Sequence, residues 1–438
     1  MADKLTVGVI SLGCDKNRVD TEKMLAILSQ EYSISNDPEK ADIIIINTCA
    51  FLQSARQEAI EEILYAIALK QQNSNLKIIV TGCLPQRFIN DIVNELPEVD
   101  GFLGVSDYAL LPSVLQRVFG GERVIAVGEP REECGKKRVL STKDYAYLKI
   151  ADGCSNHCTY CLIPSIRGKY RSVPMQDLID EAISLGKVKE LILVAQDTTK
   201  YGCDLKDGSS LVTLIKSLSN LTNIDSIRLL YCYPEGITNE LIQELKTNPK
   251  LIKYIDIPLQ HADDKILKFM NRKGSGEGYL KLISSLKEQV EGIAIRSTFI
   301  TGFPNETEEA FDNLIAFLQK AKLFNAGFFA YSKEEGTPAY KLLNQIPQKI
   351  KNQRLRKLYS LQKKIVKENL KAFRGKEISV IAEGFDENLF TYYGRAYFNA
   401  PSIDGKVYFF SDDEIQVGES YQVEIIKAEG YDLYGVRL

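Results

Sequence analysis

Asp152-Gly-Cys154-Ser-Asn-His-Cys158-Thr-Tyr-Cys161 is the stretch that decides the fold, because it places three cysteines within eight residues. It follows a short apolar run at residues 146–150 that is typical of a strand. A loop with this spacing can bind three corners of a 4Fe-4S cluster and leave one iron open to an outside ligand. Zinc normally takes a fourth protein ligand, for which His157 is the candidate. Three unrelated buried thiols are the remaining alternative.

Apolar runs alternate with helix-length segments from this point onward. The run at residues 146–150 is the first of six candidate strands, and the others lie at residues 190–194, 226–231, 254–258, 294–300 and 327–331. Six β-α units are too few to close an eight-stranded barrel. We therefore predict an open, partial (β/α)6 barrel over residues 126–345, with its site at the carboxyl ends of the strands.

Another α/β series, the first in chain order, precedes the loop. Its candidate strands lie at residues 6–11, 42–47, 77–81 and 101–105. Asp42-Ile-Ile-Ile-Ile-Asn47 is continuously apolar between its ends, as expected for a central strand covered by helices on both faces. We predict an open parallel α/β sheet domain over residues 1–125, followed by a linker or connecting strand within residues 122–143.

The carboxyl-terminal part of the chain differs from the two α/β series in charge and in predicted secondary structure. Residues 346–371 form a predicted basic connecting helix with nine Lys or Arg side chains and one acid, Glu368. Such a run of basic side chains can bind along an RNA backbone, or it can be the solvated face of a helix packed on the barrel. Residues 372–438 contain short strand patterns and turn signals, which predict a small all-β barrel. This terminal module has six basic and twelve acidic residues.

Composition limits the class of protein. A length of 438 residues corresponds to about three domains at ~150 residues each. The hydrophobic fraction of 45% and charged fraction of 26% are typical of globular chains and exclude a disordered or collagenous protein. No signal peptide and no apolar run of roughly 18 residues is present, which predicts a cytoplasmic protein without a membrane span. Nine cysteines are an odd number, unsuited to a disulfide framework.

Three further cysteines each follow a predicted strand of the first α/β series. Cys14 follows the predicted strand at residues 6–11, in the segment Ser11-Leu-Gly-Cys14. Cys49 follows the strand at residues 42–47, and Cys83 follows the strand at residues 77–81. Carboxyl ends of parallel strands share one edge of a sheet, so we expect these thiols to meet there. Three thiols at one edge can ligate a second iron-sulfur cluster. Their alternative is a set of buried structural thiols.

The spacing Cys154-x3-Cys158-x2-Cys161 is that of the radical S-adenosylmethionine (SAM) enzymes, and the whole chain resembles their methylthiotransferase family. Further matches are Ile163-Pro-Ser-Ile-Arg167-Gly168-Lys-Tyr-Arg171-Ser172 and, in a TRAM-like terminal module, Tyr393-Gly-Arg395 with Ala400-Pro-Ser-Ile-Asp-Gly405. The resemblance implies two 4Fe-4S clusters and SAM as cofactors. It implies that one cluster splits SAM to a 5′-deoxyadenosyl radical, while the cluster at Cys14, Cys49 and Cys83 holds a sulfur that another SAM methylates.

Two motifs resemble the ribosomal-protein (RimO-type) branch of that family. They are Gly13-Cys14-Asp15-Lys16-Asn17-Arg-Val-Asp20 and Pro258-Leu-Gln260-His261-Ala-Asp263. The tRNA (MiaB-type) branch generally has Gln-Met-Asn after the first cysteine. The resemblance therefore implies methylthiolation of the β-carbon of an aspartate in the small-subunit ribosomal protein S-twelve. Methylthiolation of a tRNA adenosine and a non-catalytic iron-sulfur factor on the ribosome are the alternatives.

SAM contacts are expected at or near the ends of the barrel strands. Gln196 stands where radical SAM enzymes bind the SAM amino group, although Val194-Ala-Gln-Asp197 replaces the usual Gly-Gly-Glu. Arg296 can pair with the SAM carboxylate through its planar fork. For Gln260 and Arg296 the alternative is hydrogen bonding inside the barrel. The other candidate SAM-binding residues are Tyr160, which can cover the cluster, stack on adenine or simply pack, and Gly302.

The net charge of the terminal module favours a basic protein partner over tRNA. A module that grips tRNA should present Lys and Arg to phosphate, whereas this one carries a net −6. An ordinary solvated acidic surface is the alternative. Further expected partners are an electron donor such as flavodoxin or ferredoxin and a sulfur donor. Cys134, Cys203 and Cys232 are interpreted as incidental thiols, and His261 as either a proton shuttle or a structural histidine.

Overall fold

The computed structural model describes residues 4–131, 137–142 and 144–438. The first α/β series forms a six-stranded, all-parallel sheet in the order β2-β1-β3-β4-β5-β6. Its strands are β1 (Thr6–Ser11), β2 (Ser33–Ser35), β3 (Ile43–Thr48), β4 (Lys77–Gly82), β5 (Gly101–Leu103) and β6 (Val124–Ala126). Its helices are α1 (Asp15–Leu28), α2 (Gln53–Gln72), α3 (Cys83–Glu95) and α4 (Leu111–Phe119). The edge strand β2 was not predicted from the sequence, whereas β6 lies in the segment predicted to be a linker or connecting strand.

The second series forms a sheet of six parallel strands in the order β14-β13-β12-β11-β10-β7, whose ends do not meet. The predicted α/β class with an open, partial (β/α)6 barrel is therefore confirmed. Its strands are β7 (Tyr145–Lys149), β10 (Val188–Val194), β11 (Ile224–Leu229), β12 (Leu251–Asp256), β13 (Ala294–Thr301) and β14 (Asn325–Ala330). A two-stranded ribbon, β8 (Ala151–Asp152) with β9 (Arg171–Ser172), flanks the cysteine loop.

Helices of the barrel cover the outer face of this sheet. Apolar residues of the helices and strands share one large buried cluster, which includes Leu178, Leu214, Leu245 and Phe311. The helices are α5 (Ile163–Arg167), α6 (Met175–Ser184), α7 (Leu211–Ser219), α8 (Asn239–Thr247), α9 (Asp264–Phe269), α10 (Gly276–Gln289), α11 (Glu308–Ala321) and α12 (Gln348–Lys371). In the described part of the chain no helix is long and apolar enough to cross a membrane.

The terminal module is a closed five-stranded barrel in the order β15-β16-β17-β19-β18, as predicted. Its strands are β15 (Glu377–Asp386), β16 (Thr391–Arg395), β17 (Val407–Phe410), β18 (Ser420–Glu429) and β19 (Asp432–Arg437). Phe398 and Ala400, in the loop between β16 and β17, share a buried cluster with Tyr254 and Ala294 of the (β/α)6 barrel. The module is therefore packed on the barrel. The boundaries at residues 125, 345 and 371 stay predictions.

Candidate functional site

Cys14, Cys49 and Cys83, hereafter the N-terminal cysteine set, lie at the carboxyl ends of β1, β3 and β4. Cys14 is the N-cap of α1, and Cys83 is the first residue of α3. Gly13 has φ +91°, and a Cβ there would lie 2.6 Å from Cys49 Cβ and 3.1 Å from its Sγ. The chain needs glycine at this position because only a residue without a side chain fits so close to the thiol.

The thiols of this set influence one another electrostatically. Burial raises the pKa of the Cys83 thiol to about 12, Arg167 opposes that shift, and Cys49 and Cys14 add to it. Burial likewise raises the pKa of Cys49, with a further contribution from Cys14. Without a bound cation Cys49 and Cys83 are therefore protonated at neutral pH, and metal binding would displace those protons.

Cys154, Cys158 and Cys161, hereafter the loop cysteine set, follow β8. The backbone N–H of Asn156 donates to Cys154 Sγ and that of Ile163 to Cys161 Sγ, each at 3.4 Å. Tyr233 Oη lies 3.4 Å from Cys158 Sγ. In the described residues no three His, Cys, Asp or Glu side chains converge on a point for a single ion.

Arg167 connects the two cysteine sets. Its guanidinium donates to Asn17 Oδ1 at 2.6 Å, to Asp20 Oδ2 at 3.2 Å and to Asp152 Oδ2 at 2.9 Å. Asn17 and Asp20 lie on α1 just after Cys14, and Asp152 precedes Cys154 by two residues. Lys149 binds the same two carboxylates. A buried group of two cations and two anions therefore joins the two domains beside both sets.

Gln196 lies next to the loop cysteine set. Its Nε2 donates to Asp152 Oδ1 at 2.9 Å, and its Oε1 is buried without a hydrogen-bond partner. A buried acceptor without a partner is unfavourable unless a ligand or water fills its place. Gln196 Oε1 is therefore suited to a ligand with an N–H donor, such as an ammonium group.

Arg296 contacts the protein on both sides of its guanidinium. Its Nη1 donates to Asp256 Oδ1 at 2.9 Å, and its Nε lies 3.4 Å from Asp404 Oδ1 of the terminal module. The pair with Asp256 is a hydrogen bond inside the barrel, the kind of contact that the sequence left open as the alternative, whereas the pair with Asp404 joins the barrel to the terminal module. Its assignment to the SAM carboxylate stays a prediction.

The other three residues predicted to contact SAM are Tyr160, Gln260 and Gly302. The Tyr160 side chain packs against the buried cluster of Ile266, Met270, Phe303 and Tyr331. Gln260 has φ +73° and exchanges backbone hydrogen bonds with β13. Gly302 also has φ +73°, and a Cβ there would lie 2.3 Å from Lys351 Cγ of α12. Their roles toward SAM stay predictions.

The remaining histidine and cysteines lie apart from the two sets. His261 is fully buried, with Nδ1 accepting from the backbone N–H of Asp263 and Nε2 3.2 Å from Glu306 Oε1. Both ring nitrogens are thus satisfied, as in a structural histidine. Cys203 is exposed and Cys232 is buried. The prediction for Cys134 lies outside the described residues.

A cavity of about 450 Å³ opens beside Cys14. All three parts of the chain line it, including Arg18 of α1, Tyr147 and Tyr231 of the barrel and Ile403 of the terminal module. Tyr231 has φ +58°, a strained conformation for an aromatic residue that is common at functional sites. We refer to this space as the Cys14 cavity.

Sequence reasoning missed two residues near the loop cysteine set. Arg272 lies with Nη1 4.0 Å from Cys158 Sγ and its guanidinium carbon 4.0 Å from the centre of the Tyr233 ring. Both residues line a cavity of about 380 Å³ next to Cys158. Neither belongs to a spacing motif, and only the fold brings them to the loop.

Three family profiles match successive parts of the chain. Residues 6–104 match the Uncharacterized protein family UPF0004, residues 148–318 the Radical SAM superfamily, and residues 375–437 the TRAM domain. Solved structures share the fold at low sequence identity. The radical SAM methyltransferase TsrM from Kitasatospora setae, solved with cobalamin and a [4Fe-4S] cluster, has a TM-score of 0.55 at 13% identity, covering 77% of each chain.

Curated relatives match nearly the whole chain. The Ribosomal protein uS12 methylthiotransferase RimO of Clostridium botulinum (strain Eklund 17B / Type B) is 44% identical over 99% of this chain and 98% of its own. The protein of the same name from Thermoanaerobacter sp. (strain X514) is 45% identical over 98% of this chain and 99% of its own. Identity at this level across all three domains indicates a common family.

Proposed function

This chain belongs to the RimO family of ribosomal protein uS12 methylthiotransferases, radical SAM enzymes that transfer sulfur-containing groups, and we propose that it methylthiolates the β-carbon of an aspartate of uS12. The full-length match to RimO relatives carries this proposal. Within it, the loop cysteine set holds a 4Fe-4S cluster that leaves one iron for SAM. The N-terminal cysteine set holds a second 4Fe-4S cluster, which holds the sulfur that a second SAM methylates.

SAM binding is supported by the residues beside the loop cysteine set. When bound there, the cluster and SAM supply a 5′-deoxyadenosyl radical that removes hydrogen from an unactivated carbon. Gln196 Oε1 is buried without a partner, and Asp152 holds the amide through its nitrogen. Gln196 therefore accepts a hydrogen bond from the SAM ammonium group. Tyr160, Gln260, Arg296 and Gly302 are proposed to complete the SAM site.

Replacing Gln196 by Ala tests that contact. A hydrogen bond to a charged group contributes about 1.5–3 kcal/mol, so the Kd for SAM should rise by roughly 10- to 150-fold. Equilibrium dialysis with anaerobically reconstituted protein measures the change. Gln176→Ala, an exposed glutamine on α6, should bind SAM like the wild type. An unchanged Kd in Gln196→Ala would remove Gln196 from the site.

The substrate is proposed to enter through the Cys14 cavity. Ile403 and its neighbours Pro401 and Ser402 bring the terminal module to the wall of this cavity, which Cys14 also lines. The module carries twice as many acidic as basic residues, which suits a basic ribosomal protein better than a tRNA phosphate backbone. An electron donor, such as flavodoxin or ferredoxin, and a sulfur donor complete the proposed set of partners.

Mass spectrometry distinguishes the candidate substrates. Reconstituted enzyme is incubated with SAM, a reductant and a sulfur source, together with either uS12 or tRNA. We expect the mass of one added methylthio group on an aspartate of uS12 and no modified tRNA nucleoside. A methylthio group on adenosine would assign the chain to the tRNA reaction instead. If no 5′-deoxyadenosine is released after full reconstitution, the protein is a non-catalytic iron-sulfur factor.

Removal of the N-terminal cysteine set tests the division of labour between the clusters. The triple variant Cys14→Ala, Cys49→Ala and Cys83→Ala should retain about half of the bound iron and still release 5′-deoxyadenosine. It should form no methylthiolated uS12. Cys203→Ala, which removes an exposed thiol outside both sets, is the matched control. Product formation by the triple variant would overturn the two-cluster proposal.

A further inference from the structure

Arg167 is an almost fully buried cation between the two cysteine sets, with its side chain 2% exposed. It ends α5, the short helix that follows the loop cysteine set. Its donors point to Asn17 and Asp20 on one side and to Asp152 on the other. A buried guanidinium in this place has an electrostatic influence on Cys49 and Cys83 of the N-terminal cysteine set, because the protein interior screens charge poorly.

Asn17 orients Arg167 toward the N-terminal cysteine set. Its Nδ2 donates to the carbonyl oxygens of Leu12 and Thr48 at 2.9 and 3.0 Å, which directs Oδ1 toward Arg167. Cys83 Sγ lies 4.0 Å from that same Oδ1. An amide oxygen cannot donate to a metal-bound thiolate. Of these two side chains, Arg167 is therefore the one that stabilises the Cys83 thiolate, and it opposes the burial that raises the pKa of this thiol.

A bound cluster changes the charge around Arg167. Arg167 and Lys149 face Asp20 and Asp152, two cations against two anions. Three thiolates and a 4Fe-4S core add negative charge, and one-electron reduction adds one charge more. A nearby buried cation stabilises the more negative state of a cluster and so raises its reduction potential.

We propose that Arg167 is a positioning residue that stabilises the reduced form of the N-terminal cluster and, through Asp152, fixes its distance from the loop cluster. This role rests on the proposed two-cluster function. Besides packing α5, the Arg167 guanidinium sets the electrostatic environment of the N-terminal cluster and the separation of that cluster from the loop cluster.

Redox titration of a single-cluster protein tests the electrostatic part. The triple variant Cys154→Ala, Cys158→Ala and Cys161→Ala retains only the N-terminal cluster, and electron paramagnetic resonance follows its reduction. Adding Arg167→Met or Arg167→Gln should shift the midpoint potential to a more negative value, while Arg167→Lys should keep it closer to that of the parent. Arg228→Met, which removes an equally buried, ion-paired arginine far from both sets, is the matched control and should not shift it.

The outcomes separate this inference from the function on which it rests. If the triple variant with Arg167 intact binds no iron, the two-cluster proposal fails and the role of Arg167 fails with it. Iron that is bound with an unchanged midpoint in both Arg167→Met and Arg167→Gln overturns the role of Arg167 alone. In the two-cluster enzyme, pulsed resonance between the reduced clusters should give a broader distance distribution in Arg167→Lys than in the wild type. An unchanged distribution overturns the positioning part.

Discussion

Gly13 determines how closely the chain can pass behind Cys49. Its φ of +91° is a conformation that L-residues avoid, and the space for a Cβ is already occupied by Cys49. Substitution therefore imposes both backbone strain and displacement of a proposed cluster ligand. Because the loop cysteine set lies on another domain, the effect should be confined to the N-terminal cysteine set.

Gly13→Ala should lower iron bound at the N-terminal cysteine set and reduce methylthiolation by at least about 10-fold, since misplaced groups commonly lose that factor or more. Release of 5′-deoxyadenosine should persist. Gly121→Ala is the control, because Gly121 has a similar φ of +85° but nothing within 4 Å of its Cβ position. Equal iron loss in both variants would show that strain alone is responsible.

Helix α12 is held on the barrel by charged as well as apolar residues. Lys351 Nζ donates to the Tyr331 carbonyl at 2.7 Å, and Arg354 pairs with Glu306 and Glu308 at 2.8 and 2.7 Å. Leu358 and Ile365 are buried on the same side. The other seven cations of the helix, Lys349, Arg356, Lys357, Lys363, Lys364, Lys367 and Lys371, are exposed. The helix is therefore a packed element with a basic outer face.

Arg354→Ala should lower the free energy of unfolding by about 3 kcal/mol, because it leaves the buried Glu306 carboxylate without its cation. Arg356→Ala, two residues away and exposed, should change it by less than about 0.5 kcal/mol. Urea denaturation followed by far-ultraviolet circular dichroism measures both, since the chain has no tryptophan. Similar losses in the two variants would contradict the anchoring role of Arg354.

Strands β10 and β16 meet at a buried ion-pair group between the barrel and the terminal module. Glu190 pairs with Arg228 at 2.6 Å and also with Arg395. Burial would raise the pKa of Glu190, but Arg228 and Arg395 outweigh it and hold that pKa at about 2. The folded-state pKa lies below the unfolded value of about 4.3. The carboxylate thus contributes stability above pH ~4.3 that is lost as pH falls toward 2.

Glu190→Gln should therefore be less stable than the wild type by about 3 kcal/mol at pH 7. The gap should stay constant down to about pH 5 and close only at lower pH. Urea titrations at a series of pH values, analysed as the difference between the two proteins, test this expectation. A gap that closes between pH 7 and 6 would mean that Glu190 is not held ionised in this way.

The three domains share buried surface and should respond to one another. Phe398 of the terminal module is 1% exposed and lies 5.0 Å, between ring centres, from Phe324, which precedes β14 of the barrel. The Arg167 group joins the N-terminal sheet to the same barrel. Disturbance of the terminal module is thus expected to reach the barrel strands.

Phe398→Ala should destabilise the protein by about 3–5 kcal/mol, the usual cost of removing a buried phenylalanine. Hydrogen exchange should accelerate in β12 and β13 of the barrel as well as in the terminal module. Phe410→Ala removes a ring that is 54% exposed and should leave exchange in the barrel unchanged. Faster exchange confined to the terminal module would indicate that the domains unfold independently.

The local pattern of apolar residues in the sequence was sufficient to predict much of the fold. Strands such as β3 and β10 are strongly apolar, and Cys14, Cys49 and Cys83 were found because parallel strands end at one edge. Edge strand β2 (Ser33–Ser35) has one apolar residue among three and is mostly exposed, so no apolar run marks it. Nothing local marks Arg167 as the partner of Asp20, because 147 positions of chain separate them. Contacts of that kind arise from tertiary packing alone.

The Arg167 group also limits how far these domains can be exchanged in protein engineering. A chimera that joins this barrel to a foreign N-terminal sheet would supply Arg167 and Lys149 but not Asp20 or Asn17. Arg167 and Lys149 would then lose the contact with Asp20 and keep the contact with Asp152. Grafting α1 together with the barrel preserves the pairing. Because α1 precedes β2 to β6 in the chain, a single crossover that keeps α1 with the barrel has to lie before α1, not at the boundary between domains.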